Sequence, residues 1–144
     1  MVELLFNALI MLVLVIASIF DIKKRIIPDS IHLILMLLGF FFGEFYIVEA
    51  IFVFAFILLV FKIGQWIFKK DTLGFGDVKL FTALGFLFGF FGFLQIFFYS
   101  FLSAGVYGLI ILAFKKSKDH TLPFVPFINI AVLYFMLRYS LAIL

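Results

Sequence analysis

Long apolar runs cut by short polar clusters make up nearly the whole chain. Punctuated at its charges, it gives six candidate spans: 3–20, 30–45, 47–66, 79–94, 96–114 and 124–143. A helix needs about 20 mostly apolar residues to cross the hydrocarbon core, within a range of about 17–25. The second and fourth runs are therefore short. The stretch 79–114 is too long for one span, and Gly89, Gly92 and Gln95 near its middle predict a turn. The pattern predicts an all-α fold, a polytopic membrane helix bundle of about six transmembrane helices. It is expected to form one domain over residues 1–144, because the loops are too short to carry another.

Composition strengthens the membrane expectation. Of 144 residues, 67% are hydrophobic and only 13% are charged. Soluble domains are about 45–50% apolar and about 25% charged. A chain this short cannot hide so much apolar surface in one core, and disorder needs the opposite composition. The absence of cysteine excludes disulfides, thiolate metal sites and a cysteine nucleophile.

Charge placement predicts orientation. The first run begins with Glu3 and carries no leading Lys or Arg, while Lys23, Lys24 and Arg25 follow it. That order marks a retained helix with its N-terminus outside, not a cleaved signal peptide. Lys69, Lys70 and Lys79, then Lys115, Lys116 and Lys118, fall on the same side as the first cluster, and Lys62 snorkels towards it. Only Arg138 of the eleven Lys and Arg is left for the other side, where Glu3, Glu44 and Glu49 fall. The basic loops are thus expected in the cytoplasm. They leave no basic face that could track a phosphate backbone, so nucleic acid is not an expected partner. Gly39 and Gly43, Gly85 and Gly89, and Gly105 and Gly108 are spaced for close helix approach in lipid, within the bundle or across a dimer face.

Few polar groups remain to do chemistry. Asp21 ends the first run in the string D-I-K-K-R-I-I-P-D-S. It is either a solvated carboxylate neutralised by Lys24 or Arg25, or a site member. Pro28 blocks helix continuation, and Asp29 is either the N-cap of the second span or part of a site. Asp77 follows Gly74 and Gly76 at the start of the fourth span. An N-cap is one explanation. Yet a cap does not require G-x-G before it, and two glycines permit positive φ or close approach to a substrate. Lys79 either steadies carboxylates or anchors at the interface. His32 and His120 lack the spacing of a metal site. Ser100 and Ser103 are expected to bond to their own helix, and Asn129 to make an interhelical hydrogen bond. Asp21 and Asp77 are expected at the same depth on the cytoplasmic side. Two carboxyls placed together share a proton; one then acts as base on a water and the other as acid. That is aspartic-protease machinery.

Asp21-x6-Pro28-Asp29, then Gly74-x-Gly76-Asp77-x-Lys79, then Leu122-Pro123-Phe124-x-Pro126, together resemble the type IV prepilin peptidases over essentially the whole chain. Presenilins and signal peptide peptidases share G-x-G-D; the D-x6-P-D element favours the prepilin enzymes. The resemblance implies a membrane aspartic endopeptidase needing no cofactor or metal. It would remove the basic leader of type IV pilin-like, pseudopilin or archaellin precursors at the cytoplasmic face of the inner cell membrane. Asp21 and Asp77 match the catalytic pair. Arg25, Pro28, Asp29, Gly74, Gly76, Lys79, Pro123 and Pro126 are expected to bind substrate or shape the site. Many bacterial members carry an additional cysteine-rich cytoplasmic region and also methylate the new N-terminus. The first loop here has no room for such a region, so peptidase activity without methylation is expected. Val125 replaces the glycine of the P-F-G-P form, and the two prolines are expected to keep the start of the last span from forming regular helix. Rival expectations are an intramembrane protease of presenilin type, a small proton-coupled transporter or channel, and a structural membrane subunit.

Overall fold

The structure, a computed structural model, describes residues 2–42, 45–69, 74–114 and 122–143. Gly43, Glu44, Lys70, Lys115, Lys116, Lys118 and His120 lie outside the described residues. Five helices run through the described chain: α1 (Val2–Lys24), α2 (Asp29–Phe42), α3 (Ile47–Phe68), α4 (Phe75–Phe114) and α5 (Val125–Ile143). Three of them, α1, α3 and α4, are long and apolar enough to cross a membrane. Large apolar side chains cover the outside, with Trp66 83% and Phe91 81% exposed. Water does not tolerate so continuous an apolar surface; lipid does. The fold is a membrane helix bundle.

The 40 residues of α4 hold a break that the apolar pattern marks only loosely. Gly89 leaves the helical region, at φ 68° and ψ 179°. The rings of Phe81 and Phe97 sit 5.4 Å apart, and those of Phe81 and Phe93 5.8 Å apart. In a straight helix residues 81 and 97 would be about 24 Å apart, at about 1.5 Å per residue. The chain therefore folds back at Gly89 into two arms, residues 75–88 and 90–114. These are the expected fourth and fifth spans. The turn comes at Gly89, the first of its three candidates, so the fourth span ends before residue 94, and the first arm begins at Phe75 instead of residue 79.

A backbone contact holds the turn. Tyr46 leads into α3, and its N–H donates to the Phe86 carbonyl at 3.0 Å. Carbonyls next to a helix break need partners from outside, and this one finds it in the neighbouring loop. The Tyr46 ring lies over Gly89. Close approach elsewhere also depends on glycine. A Cβ at Gly85 would stand 2.7 Å from Val53 on α3, and one at Gly39 would stand 2.8 Å from Leu87. Gly105 meets nothing within 4 Å, so its spacing with Gly108 serves no close helix contact within the described chain.

Helix α4 packs against α2, α3 and α5, while α1 packs against α2 and α5. The first arm of α4 contributes to the core through Phe81 and Leu84, which belong to the same buried cluster as Ile10 and Leu14 of α1, Leu35 of α2, Ile57 of α3 and Ile128 of α5. Ser100 and Ser103 donate to the carbonyls of Ile96 and Ser100 in their own helix, as expected. Asn129 departs from expectation: its Oδ1 is buried with no hydrogen-bond partner among the described residues.

Candidate active site

Asp21 lies in the last turn of α1 and is 8% exposed. The helix ends four residues later, where Arg25 takes a left-handed backbone (φ 55°) and returns its N–H to the Asp21 carbonyl at 3.0 Å. Such a termination satisfies one of the carbonyls left over at a helix end. The Asp21 side chain is not neutralised by its own basic neighbours. It forms no ion pair among the described residues, and Lys24 Nζ lies over the Phe20 ring, 5.8 Å from its centroid. Instead Asp21 Oδ2 accepts the Val125 N–H at 3.0 Å, across 104 residues of sequence.

The first turn of α5 explains that bond. Phe127 and Ile128 return their N–H groups to the Phe124 carbonyl, which makes Phe124 the residue before the helix. Pro126 has no N–H to offer. Val125, buried and first in the helix, holds a donor with no partner inside the helix. A carboxylate at a helix N-terminus is also favoured by the aligned peptide dipoles. One expectation changes here. Pro126 does not keep the segment from forming helix, because its missing N–H falls in the first turn, where none is required. Pro123 does lie outside the helix. Val125 in place of glycine leaves the bond intact, since the donor belongs to the backbone.

Asp77 is the third residue of α4 and not its cap. Gly74 is the cap: its carbonyl accepts the N–H of Asp77 at 3.0 Å and of Val78 at 3.3 Å. Asp77 Oδ2 reaches back to the Gly74 N–H at 3.3 Å, half of a capping box. Neither glycine of the G-x-G-D string has a positive φ. Their smallness is used differently. A Cβ on Gly74 would stand 3.2 Å from Asp77 Oδ2, and one on Gly76 would stand 3.3 Å from Ile27 Cδ1. The first leaves space for the folded-back carboxylate, and the second lets the loop between α1 and α2 lie on the turn.

That loop carries the P-D pair. The Pro28 carbonyl accepts the Ile31 N–H at 3.0 Å, so Pro28 caps α2 and Asp29 is its first residue. Asp29 Oδ1 binds Lys79 Nζ at 2.6 Å. Lys79 thus steadies a carboxylate, though not one of the expected pair, and it also lies 5.5 Å from the Phe75 ring centroid. His32, weighed from sequence only as a metal ligand, belongs to the same junction. It is 6% exposed, and its Nε2 lies 3.1 Å from the Gly76 carbonyl. The signal for it was position: an ionisable side chain one turn after Asp29 at the polar end of an apolar helix. A pocket of about 260 Å³ opens beside it, lined by Asp29, His32, Met36, Phe54, Lys79 and Thr82.

The ends of α1 and the starts of α2, α4 and α5 thus converge at one end of the bundle. Asp21 and Asp77 lie within electrostatic reach of each other there, each tied to a backbone N–H at a helix start. Arg25 contributes the backbone stop of α1 and no ion pair among the described residues. Two carboxyl groups that reach a common water can serve as acid and base in turn. A family model described as the type IV leader peptidase family matches residues 8–109. The match takes in Asp21, Pro28, Asp29, Gly74, Gly76, Asp77 and Lys79, and it ends before Pro123 and Pro126. No curated protein and no solved structure matches the chain.

Proposed function

The chain belongs to the type IV leader peptidase family, and from that premise we propose that it is an aspartic endopeptidase with Asp21 and Asp77 as its catalytic pair. The observation that carries the proposal is the convergence of these two side chains from α1 and α4 within electrostatic reach of one another. Its substrate is a type IV pilin-like, pseudopilin or archaellin precursor, whose basic leader is removed at the cytoplasmic face of the inner cell membrane. Methylation of the new N-terminus is not part of its activity. The enzyme acts as one domain with six passes and its N-terminus outside. Lys23, Lys24 and Arg25 close α1, Lys69 closes α3 and Lys79 lies near the start of α4. This grouping of basic residues around the aspartates supports a cytoplasmic site.

In this mechanism a water bound between the two carboxyls is the nucleophile. The ionised carboxylate takes a proton from the water as its oxygen attacks the scissile carbonyl. The protonated partner first donates to the carbonyl oxygen. Collapse of the tetrahedral intermediate then breaks the C–N bond, and a carboxyl proton passes to the leaving amine. The Val125 N–H holds Asp21 and the Gly74 N–H holds Asp77, which fixes one oxygen of each carboxylate. The substrate bond must be extended to be reached, because a helical peptide bond is shielded by its own ladder. Arg25, Pro28, Asp29, Gly76, Lys79, Pro123 and Pro126 shape the site around that segment.

Asp21→Asn and Asp77→Asn keep the side-chain shape and remove the acid. Each is expected to lower precursor cleavage by about 10²–10⁴-fold, the usual span for an acid–base group. Cleavage by either variant at the wild-type rate would refute the pair. A shared proton also predicts a bell-shaped rate profile against pH; a profile without an acid limb would contradict it.

A further inference from the structure

His32 stands out because nothing in the proposed chemistry uses it, and its surroundings make it expensive to keep. Helix α2 is otherwise almost wholly apolar beyond its first two residues, and a leucine or phenylalanine could fill the same buried position. Instead an imidazole is buried there with only one nitrogen bonded. A carbonyl oxygen only accepts, so Nε2 carries the proton and donates to Gly76 at 3.1 Å. Nδ1 is buried with no hydrogen-bond partner among the described residues, and the Asp29 carboxylate lies 3.8 Å away. Burying a polar nitrogen without a partner is unfavourable. The Nε2–H bond is the one side-chain hydrogen bond of this residue among those described, and an apolar residue could not supply it.

Gly76 directly precedes Asp77, so the bond acts one residue from the proposed catalytic carboxyl. Two further contacts from the same short segment act on the same turn: Ile27 packs on Gly76, and Asp29 holds Lys79. Residues 27–32 thus grip residues 76–79 by packing, by a neutral hydrogen bond and by an ion pair. Of these, the histidine bond is the buried, directional one.

We infer that His32 is a positioning residue for Asp77, holding the G-x-G-D turn through the Gly76 carbonyl. The inference rests on the catalytic reading of Asp77. Misplacing a reacting group by about 1 Å can cost about 10²-fold in rate. Loss of the bond should therefore reduce turnover much more than substrate binding.

The full chain, reconstituted in liposomes, is tested on a synthetic precursor with a basic leader joined to an apolar helix. His32→Leu fills the space without a donor, and His32→Gln restores an N–H. His32→Leu is expected to lower kcat by about 10–100-fold while KM stays within about twofold. His32→Gln is expected to recover most of that loss. Thermal unfolding of both variants identifies molecules that have lost their fold, and rates are compared per folded molecule. Wild-type kcat in His32→Leu, or equal losses in the Leu and Gln variants, would overturn the inference while Asp77→Asn remains inactive. Full activity in Asp77→Asn would instead overturn the catalytic pair, and this inference with it.

Discussion

The first arm of α4 starts and stops on glycine, and the two ends use that residue for unlike reasons. At Gly89 the need is conformational: φ 68° and ψ 179° fall in a region that only glycine occupies readily. At Gly74 and Gly76 φ is not positive, and the need is space, for the Asp77 carboxylate and for Ile27. One end stores shape in the backbone, beneath the Tyr46 ring. The other keeps ordinary helix geometry and gathers Asp21, Asp29, His32, Asp77 and Lys79 around it. Backbone shape and the proposed chemistry thereby sit at opposite ends of a single short helix.

Substitutions can break that contrast or sharpen it. The widest separation is expected between Asp77→Asn and Gly89→Ala. The first should remove cleavage by about 10²–10⁴-fold with little change in unfolding. The second should lower stability by about 1–3 kcal/mol, the usual cost of a forced backbone conformation, with cleavage per folded molecule retained. Denaturant unfolding in detergent beside precursor cleavage would check both, and exchanged phenotypes would break the contrast. Gly74→Ala comes next. Its Cβ would crowd Asp77 Oδ2, and turnover should fall about tenfold or more. Gly76→Ala should do less, because its nearest neighbour is a flexible Ile27 terminus, and Ile27→Val should relieve part of the defect. Asp29→Asn is expected to have the smallest effect. It removes an exposed ion pair, which contributes little, and the difference from wild type should shrink as salt is raised.

The sequence carried the large outline for a physical reason. Uninterrupted apolar runs admit few structures in lipid, where only helices satisfy the backbone locally. Asp21, Asp29 and Asp77 were visible because acids are rare in such runs, and their two strings could be assigned to the same end of the bundle. What stayed hidden depends on main-chain atoms and three-dimensional neighbours. The Val125 N–H that holds Asp21 has no side-chain signature. The same holds for the Gly76 carbonyl, and without it His32 reads as an isolated imidazole. The turn in α4 was bracketed by Gly89, Gly92 and Gln95, but only φ singles out Gly89. Capping assignments shifted by small steps: Pro28 in place of Asp29, and Gly74 in place of Asp77. Residue type alone does not fix which carbonyl closes the first turn.

The arm 75–88 and helix α2, 14 residues long, have a shared consequence for the lipid around them. Each measures about 21 Å at 1.5 Å per residue, against about 30 Å of hydrocarbon. Neither can match the slab unaided, so the bilayer must thin beside them or their polar ends must sink beneath its surface. The two shortest rods in the molecule are those that bring His32, Asp29, Lys79 and Asp77 together. A dimple centred on the aspartates would admit water to them while a precursor's greasy stem stays immersed alongside.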